Sequence, residues 1–218
     1  MMKRIPALLL TALLLFGWSP AAQAHPHAWI DLRTAVKIDS QGRITAVELD
    51  WTFDPYYTLF TLEGIVAAGT PLQPSLDALA RENLVNLRDF DYFFDVRADG
   101  KRQVLGEVTH YQTEIRDEHL WMRFEVPLAT PIDPKALPVS ISSYDPTYYI
   151  EVLYAEDGPL VTFEDAATGA ALEICTADIV LPNPTMEERF FAASLGPDED
   201  GGTALGEIFA EKAVLACP

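Results

Sequence analysis

From Ala28 to Phe53, apolar and polar residues alternate in two runs, "WIDLRTAVKID" and "RITAVELDWTF", around the polar "SQGR" that contains Gly42. Period two on both sides of a short glycine-containing turn predicts a β-hairpin. The alternation stops at "DPYYTLFTLEGIVAAG", where Asp54 is placed to cap a helix and Pro55 to take its first position, before Gly69, Pro71 and Pro74 interrupt it. In "SLDALARENLVNLRDF", Ser75 is the predicted N-cap, and Leu76, Leu79, Leu84 and Leu87 recur at roughly helical spacing.

Period two returns in "YFFDVRADGKRQVLGEV" and "THYQTEIRDEHLWMRFEVPL", with turns at "ADGK" and "RDEH". It continues in "LPVSISSYD", "TYYIEVLY", "LVTFED" and "ALEICTADIV". The end reads as helical in "TMEERFFAASL" and "GTALGEIFAEKAVLAC", joined by the loop "GPDEDGG". Strands dominate, and no repeat or low-complexity linker divides them. The pattern predicts an α+β protein, an antiparallel β-sheet or sandwich core with helices after the first hairpin and at the C-terminus. With 218 residues, 49% of them hydrophobic, the chain can bury one substantial core.

Ahead of the hairpin, "MMKRIPALLLTALLLFGWSPAAQA" has Lys3 and Arg4, an apolar run from Ile5 to Trp18, and small residues at Ala22 and Ala24. That order is a secretory signal peptide, residues 1–24, and its apolar run is too short to span a bilayer comfortably. The expected product is one domain, residues 25–218, in the periplasm of a Gram-negative cell. No later stretch is apolar and long enough for a membrane helix. Removing Lys3 and Arg4 leaves 13 basic residues against 33 acidic, a net charge of about −20. Nucleic acid and anionic membrane surfaces are therefore poor partners for it. In an oxidising compartment, Cys175 and Cys217 read as one disulfide stapling the C-terminal tail to the body; the alternative is a thiolate pair for a metal.

Cleavage after Ala24 gives the chain a new beginning, "HPHAWID". His25 then supplies an imidazole and a free α-amine, and His27 a second imidazole on the same side, about 6.6 Å along an extended chain. Pro26 stiffens the pair and removes the amide that a square-planar amino-terminal copper or nickel motif deprotonates. Alternation carries Trp29 and Asp31 to the same side, making Asp31 a candidate to orient an imidazole. Two later stretches, "FDPYY" (Phe53 to Tyr57) and "YDPTYY" (Tyr144 to Tyr149), each set an aspartate between an aromatic residue and a proline. Asp54 and Asp145 are candidate oxygen ligands in these rigid turns. His110 and His119 lie in the two arms of one predicted hairpin and are weaker candidates, placed to face each other across it. "DEDGG" lacks calcium-loop spacing, and no hydrolase elbow, zinc-protease helix, phosphate loop or dinucleotide fingerprint is present.

"HPHAWID" after a leader, "LDWTFDPYY" after the first hairpin and "SYDPTYYI" late in the chain together resemble a periplasmic family of unknown function. Its members carry names as periplasmic components of ABC-type transport systems and are found beside, or fused to, nickel/cobalt-type metal permeases. The resemblance covers His25 to Cys175 and implies His25, His27, Asp31, Asp54 and Asp145 as site residues. It departs at "AAGTPLQPSLDALA", which is acid-poor where relatives carry an acidic Asp-Gly-rich insert.

The expectation is therefore a non-enzymatic periplasmic protein that binds a divalent transition metal and assists an inner-membrane metal permease or ABC-type transporter. Zinc or nickel is favoured, and copper would bind tightly too. Two alternatives stay open: a cell-envelope interaction module without metal, and a copper enzyme whose amino-terminal histidine brace activates oxygen.

Overall fold

The hairpin forms as the alternation dictates. In the computed structural model, which describes residues 26–196, 199, 201–202 and 204–218, β1 (Ala28–Ile38) pairs antiparallel with β2 (Ile44–Phe53), from Ile30↔Phe53 to Ile38↔Ile44. Asp39 closes the turn, its Oδ1 accepting the amides of Gln41 and Arg43 at 2.9 Å while Oδ2 pairs with the Arg43 guanidinium. Ile30, Leu32, Val36, Val47, Leu49 and Trp51 turn inward and are buried, so one face of the hairpin builds the core.

Asp54 and Pro55 start α1 (Pro55–Ala68) as predicted, and Gly69 ends it in the left-handed region at φ 66°. Thr58 is the only buried residue of this helix; its hydroxyl accepts the amide of Leu120 at 2.9 Å. The second helix begins earlier than Ser75. α2 runs Leu72–Leu87 with Pro71 at the cap position, and Ser75 lies inside the first turn, donating to the Pro71 carbonyl at 2.8 Å. Pro74 does not interrupt the helix, because an amide in the first turn has no intrahelical acceptor to lose. Leu76, Ala80 and Leu84 form the buried stripe.

A short 3₁₀ segment (Arg88–Phe93) leads to β3 (Phe94–Ala98), β4 (Lys101–Arg102), β5 (Tyr111–Arg116), β6 (His119–Ile132) and β7 (Val139–Ser143). β8 (Ile150–Tyr154), β9 (Val161–Asp165) and β10 (Thr176–Val180) follow, then α3 (Met186–Ser194), α4 (Leu205–Phe209) and β11 (Lys212–Ala216). One sheet has the order β5-β6-β2-β1-β8, with β9 also on β1; the other is β10-β11-β7-β3-β4. Residues of both sheets, among them Val36, Phe124, Val96, Ile141 and Ala213, share one hydrophobic cluster. The protein is thus α+β, with mostly antiparallel sheets and helices after the first hairpin and near the C-terminus.

Two further features differ from the sequence expectation. β8 and β9 run parallel to β1, the first along Ala28–Leu32 and the second along Thr34–Ile38. The last predicted helix is confined to α4, and "KAVLA" is instead β11, inserted between β10 and β7. Ala213 and Leu215 point into the core while Lys212, Val214 and Ala216 are exposed, a period of two hidden by helix-favouring residue types. Cys175 and Cys217 form the expected disulfide beside the terminal β10–β11 pair, Thr176↔Ala216.

Candidate functional site at the start of the first strand

The three motifs singled out in the sequence meet where β1 begins. His27 donates its amide to the Tyr149 carbonyl at 2.8 Å, and its ring stacks on the Tyr149 ring with centroids 4.5 Å apart. One residue into β1, the Trp29 amide donates to Asp54 Oδ2 at 3.0 Å, and the Asp54 amide donates back to the Trp29 carbonyl at 3.0 Å. Asp54 Oδ1 accepts the amides of Tyr56 and Tyr57, so one carboxylate caps α1 and clamps β1.

Asp145 does the equivalent work on the other side. Its Oδ1 accepts the amide and hydroxyl of Thr147, both at 2.9 Å, and Oδ2 accepts the Ile150 amide at 3.0 Å. Ile150 opens β8 opposite Ala28, so this turn sets the strand that lies against β1. Both oxygens of both aspartates are thus engaged by groups of the chain, and Asp145 is buried. In this fold both side chains hold backbone at the start of β1 and β8.

On the outer face of the sheet lie Trp29, Asp31 and, from β8, Glu151, opposite Trp29 in register. Glu151 accepts from the Trp29 indole Nε1 and from the Tyr148 hydroxyl, each at 3.0 Å. Three residues of extended chain separate Asp31 from Ala28, roughly 10 Å, which puts its carboxylate out of hydrogen-bond range of the His27 ring. Asp31 is exposed and does not orient that imidazole. Glu151, two register positions from Tyr149, is the acid that sequence reading missed; the alternation of Tyr149, Glu151 and Leu153 was its only signal.

Tyr148 is held from behind by the C-terminal helices, its ring stacked on Phe209 at 4.3 Å within a small cluster of Ala192, Leu195 and Leu205. Gly206 permits this packing. A Cβ there would fall 1.8 Å from the Asp145 carbonyl oxygen, and the Gly206 amide donates to the Pro146 carbonyl at 3.0 Å.

His110 and His119 do not face each other. The two-residue turn Asp117–Glu118 pairs Arg116 with His119, and the same register sets His110 opposite Glu125, whose amide donates to the His110 carbonyl at 3.1 Å. Six strand positions separate the two histidines, about 20 Å. Among the described residues no three His, Cys, Asp or Glu side chains converge to hold a metal ion, and His25 lies outside the described residues.

Burial and the neighbouring Glu151 carboxylate push the Tyr148 phenol well above its ordinary value of 10.0; burial raises Tyr154, Tyr57 and Tyr144 in the same direction. A phenol that holds its proton more tightly when folded contributes stability that is complete below pH 10.0 and is lost as pH rises above it. The melting temperature should therefore be flat at mildly alkaline pH and fall beyond 10.0, with a shallower fall in Tyr148→Phe. An unchanged melting temperature up to about pH 11 would overturn this assignment.

Comparison with known proteins places the chain in a family. Residues 10–217 match a family described as "Protein of unknown function (DUF1007)". The chain belongs to the DUF1007 family. An uncharacterized protein of Haemophilus influenzae (strain ATCC 51907 / DSM 11121 / KW20 / Rd) is 28% identical over 198 residues, covering 89% of this chain and 91% of that protein. An "Uncharacterized 15.5 kDa protein in trpE 3'region" of Spirochaeta aurantia is 28% identical over 85 residues, 39% of the DUF1007 chain and 60% of the relative. No solved structure matches. Neither the family description nor these names indicates an enzymatic activity. The disulfide of the DUF1007 chain suits an extracytoplasmic compartment, and among the described residues no helix is long and apolar enough to cross a membrane.

Proposed function

We propose that the exported chain, cut after Ala24, binds a divalent transition-metal ion as cargo at its amino terminus. It would serve an inner-membrane metal permease or ABC-type transporter in the periplasm as a binding or delivery component. The observation that carries this reading is the anchoring of His27. Its amide and ring are both fixed on Tyr149, at the point where Asp54 and Asp145 lock the start of β1. A donor already held in place loses less freedom on binding an ion. Cleavage sets the α-amine and imidazole of His25 two residues ahead of it, with Pro26 restricting the link.

Imidazole and amine nitrogens suit zinc or nickel, and copper by intrinsic affinity. Glu151 adds negative charge opposite Trp29, while Asp54 and Asp145 position the strand that directly follows His27. Calorimetric titration of zinc, nickel and copper into protein beginning at His25 tests the reading. Affinity should rise with pH as the α-amine, with a usual pKa of about 7.7 to 8.0, gives up its proton. Residues added ahead of His25, or the pair His25→Ala and His27→Ala, should abolish binding. Binding weaker than millimolar in the unmodified protein would overturn the proposal.

A further inference from the structure

The 3₁₀ segment between α2 and β3 ends in a backbone conformation that side chains rarely adopt. Asp91, Tyr92 and Phe93 stand one after another in the left-handed region, at φ 51°, 57° and 54°. Buried Tyr92 holds this turn, its hydroxyl accepting the Val108 amide at 3.2 Å, while the Phe93 carbonyl accepts the Tyr144 amide at 2.9 Å. The turn sets Asp91 and Phe93 in the wall of a cleft of about 300 Å³, beside Phe90 and Pro146. That volume suits a small ligand, and aromatic walls suit an apolar one. Phe90 is 51% exposed, its ring edge-on to Phe93 with centroids 6.2 Å apart.

The polar groups that converge there say more. Buried Asp95 lies 3.1 Å from Arg102 Nε and fixes the guanidinium. Arg102 Nη2 donates to the Tyr144 hydroxyl at 2.6 Å and Nη1 to Asp91 Oδ2 at 3.2 Å, so each terminal nitrogen keeps one N–H to spare. Tyr144 has a proton to give as well. Burial raises its phenol above the ordinary value and keeps it protonated, and among the described residues no acceptor takes its O–H. Asp89, exposed in the same cleft, pairs with no cation among the described residues.

Donors for an anionic group thus stand beside acceptors for a cationic one. A simple anion would meet Asp89 and Asp91 in a chain of net charge −18, and a simple cation would meet Arg102. A zwitterion satisfies both. Because Asp91 and Arg102 are only 3.2 Å apart, its two charges must lie equally close, as in an α-amino acid and not in one whose amine is at the far end of the chain. The side chains it would part, Arg102 and Asp91, are 47% and 53% exposed, so their ion pair yields at little cost.

We propose that this cleft binds an α-amino acid with an aromatic or large aliphatic side chain. Its carboxylate meets Arg102 and Tyr144, its ammonium meets Asp89 and Asp91, and its side chain lies against Phe90, Phe93 and Pro146. This inference does not rest on the metal reading.

Titration of L-phenylalanine into isotope-labelled protein recovered from the periplasm, followed by two-dimensional NMR, tests it. Saturating shifts should appear at residues 89–94, Arg102 and 144–146, with a dissociation constant of roughly millimolar order or tighter. N-acetylphenylalanine and phenylalanine amide each keep one charge and mimic the two ends of a peptide; both should bind about tenfold more weakly. Phe90→Ala and Asp89→Asn, at exposed positions, should each weaken L-phenylalanine binding about tenfold with an unchanged melting temperature, and Tyr144→Phe should weaken it as much. No saturating shift at these residues by tens of millimolar would overturn the proposal. So would equal or tighter binding of either one-charge analogue, which gives the cleft to a peptide end, and so would affinity that both Phe90→Ala and Asp89→Asn leave unchanged.

Discussion

Replacing Cys175 and Cys217 together by alanine is expected to cost about 4 kcal/mol of unfolding stability and about 10 °C of melting temperature. The bond closes a loop spanning 42 positions, and opening it returns that loop's freedom to the unfolded chain. The native state loses a clamp as well. β11 is the middle strand between β10 and β7, and Cys217 follows it directly, so without the bond the outer end of this trio is free to fray. Hydrogen exchange should therefore quicken first in β10 and β11, ahead of β1, β2 and β6. Reductant added to the unaltered protein should reproduce both effects. A loss below about 1 kcal/mol would mean that the ladder and the burial of Ala213 and Leu215 already hold the tail in the unfolding ensemble.

The same tail shows where local sequence reading succeeds and where it stops. β1 and β2 were legible because Ile, Leu, Val and Trp alternate with charged residues along both, so the inward face announces itself. Asp54 with Pro55 was legible because capping is local chemistry. β11 was not: alanine marks its inward and outward positions alike, and Glu, Lys and Leu favour helix, so the register with β7 and β10 had to override propensity. The parallel pairing of β8 and β9 with β1 involves partners more than a hundred residues apart, and no local pattern selects them. For the site, the two aspartate-turn motifs read as candidate ligands, and only folding brings both to the start of β1; residue type alone does not separate a ligand from a cap. Glu151 and Gly206 act through contacts that exist only after folding.

Asp145→Asn is expected to destabilise the metal-free protein by about 3 kcal/mol, and this single result separates the two roles open to an aspartate in such a turn. The Asp145 side chain is buried and accepts three hydrogen bonds, from the Thr147 amide, the Thr147 hydroxyl and the Ile150 amide. Asparagine offers one oxygen and one amide nitrogen, so either Thr147 or the Ile150 amide meets a donor instead of an acceptor. Each buried group left in that state costs about 1–3 kcal/mol. The Ile150 amide opens β8, so the strand beside Ala28 should loosen, and with it the Tyr149 carbonyl that holds His27. A residue kept as a metal ligand behaves in the opposite way: without metal its carboxylate is surplus, and asparagine leaves stability unchanged or raises it. Thermal melts of wild type and Asp145→Asn in chelator decide the matter. A large loss makes any accompanying fall in metal affinity an indirect effect of a displaced His27; equal stability with lost binding would return Asp145 to the ligand set.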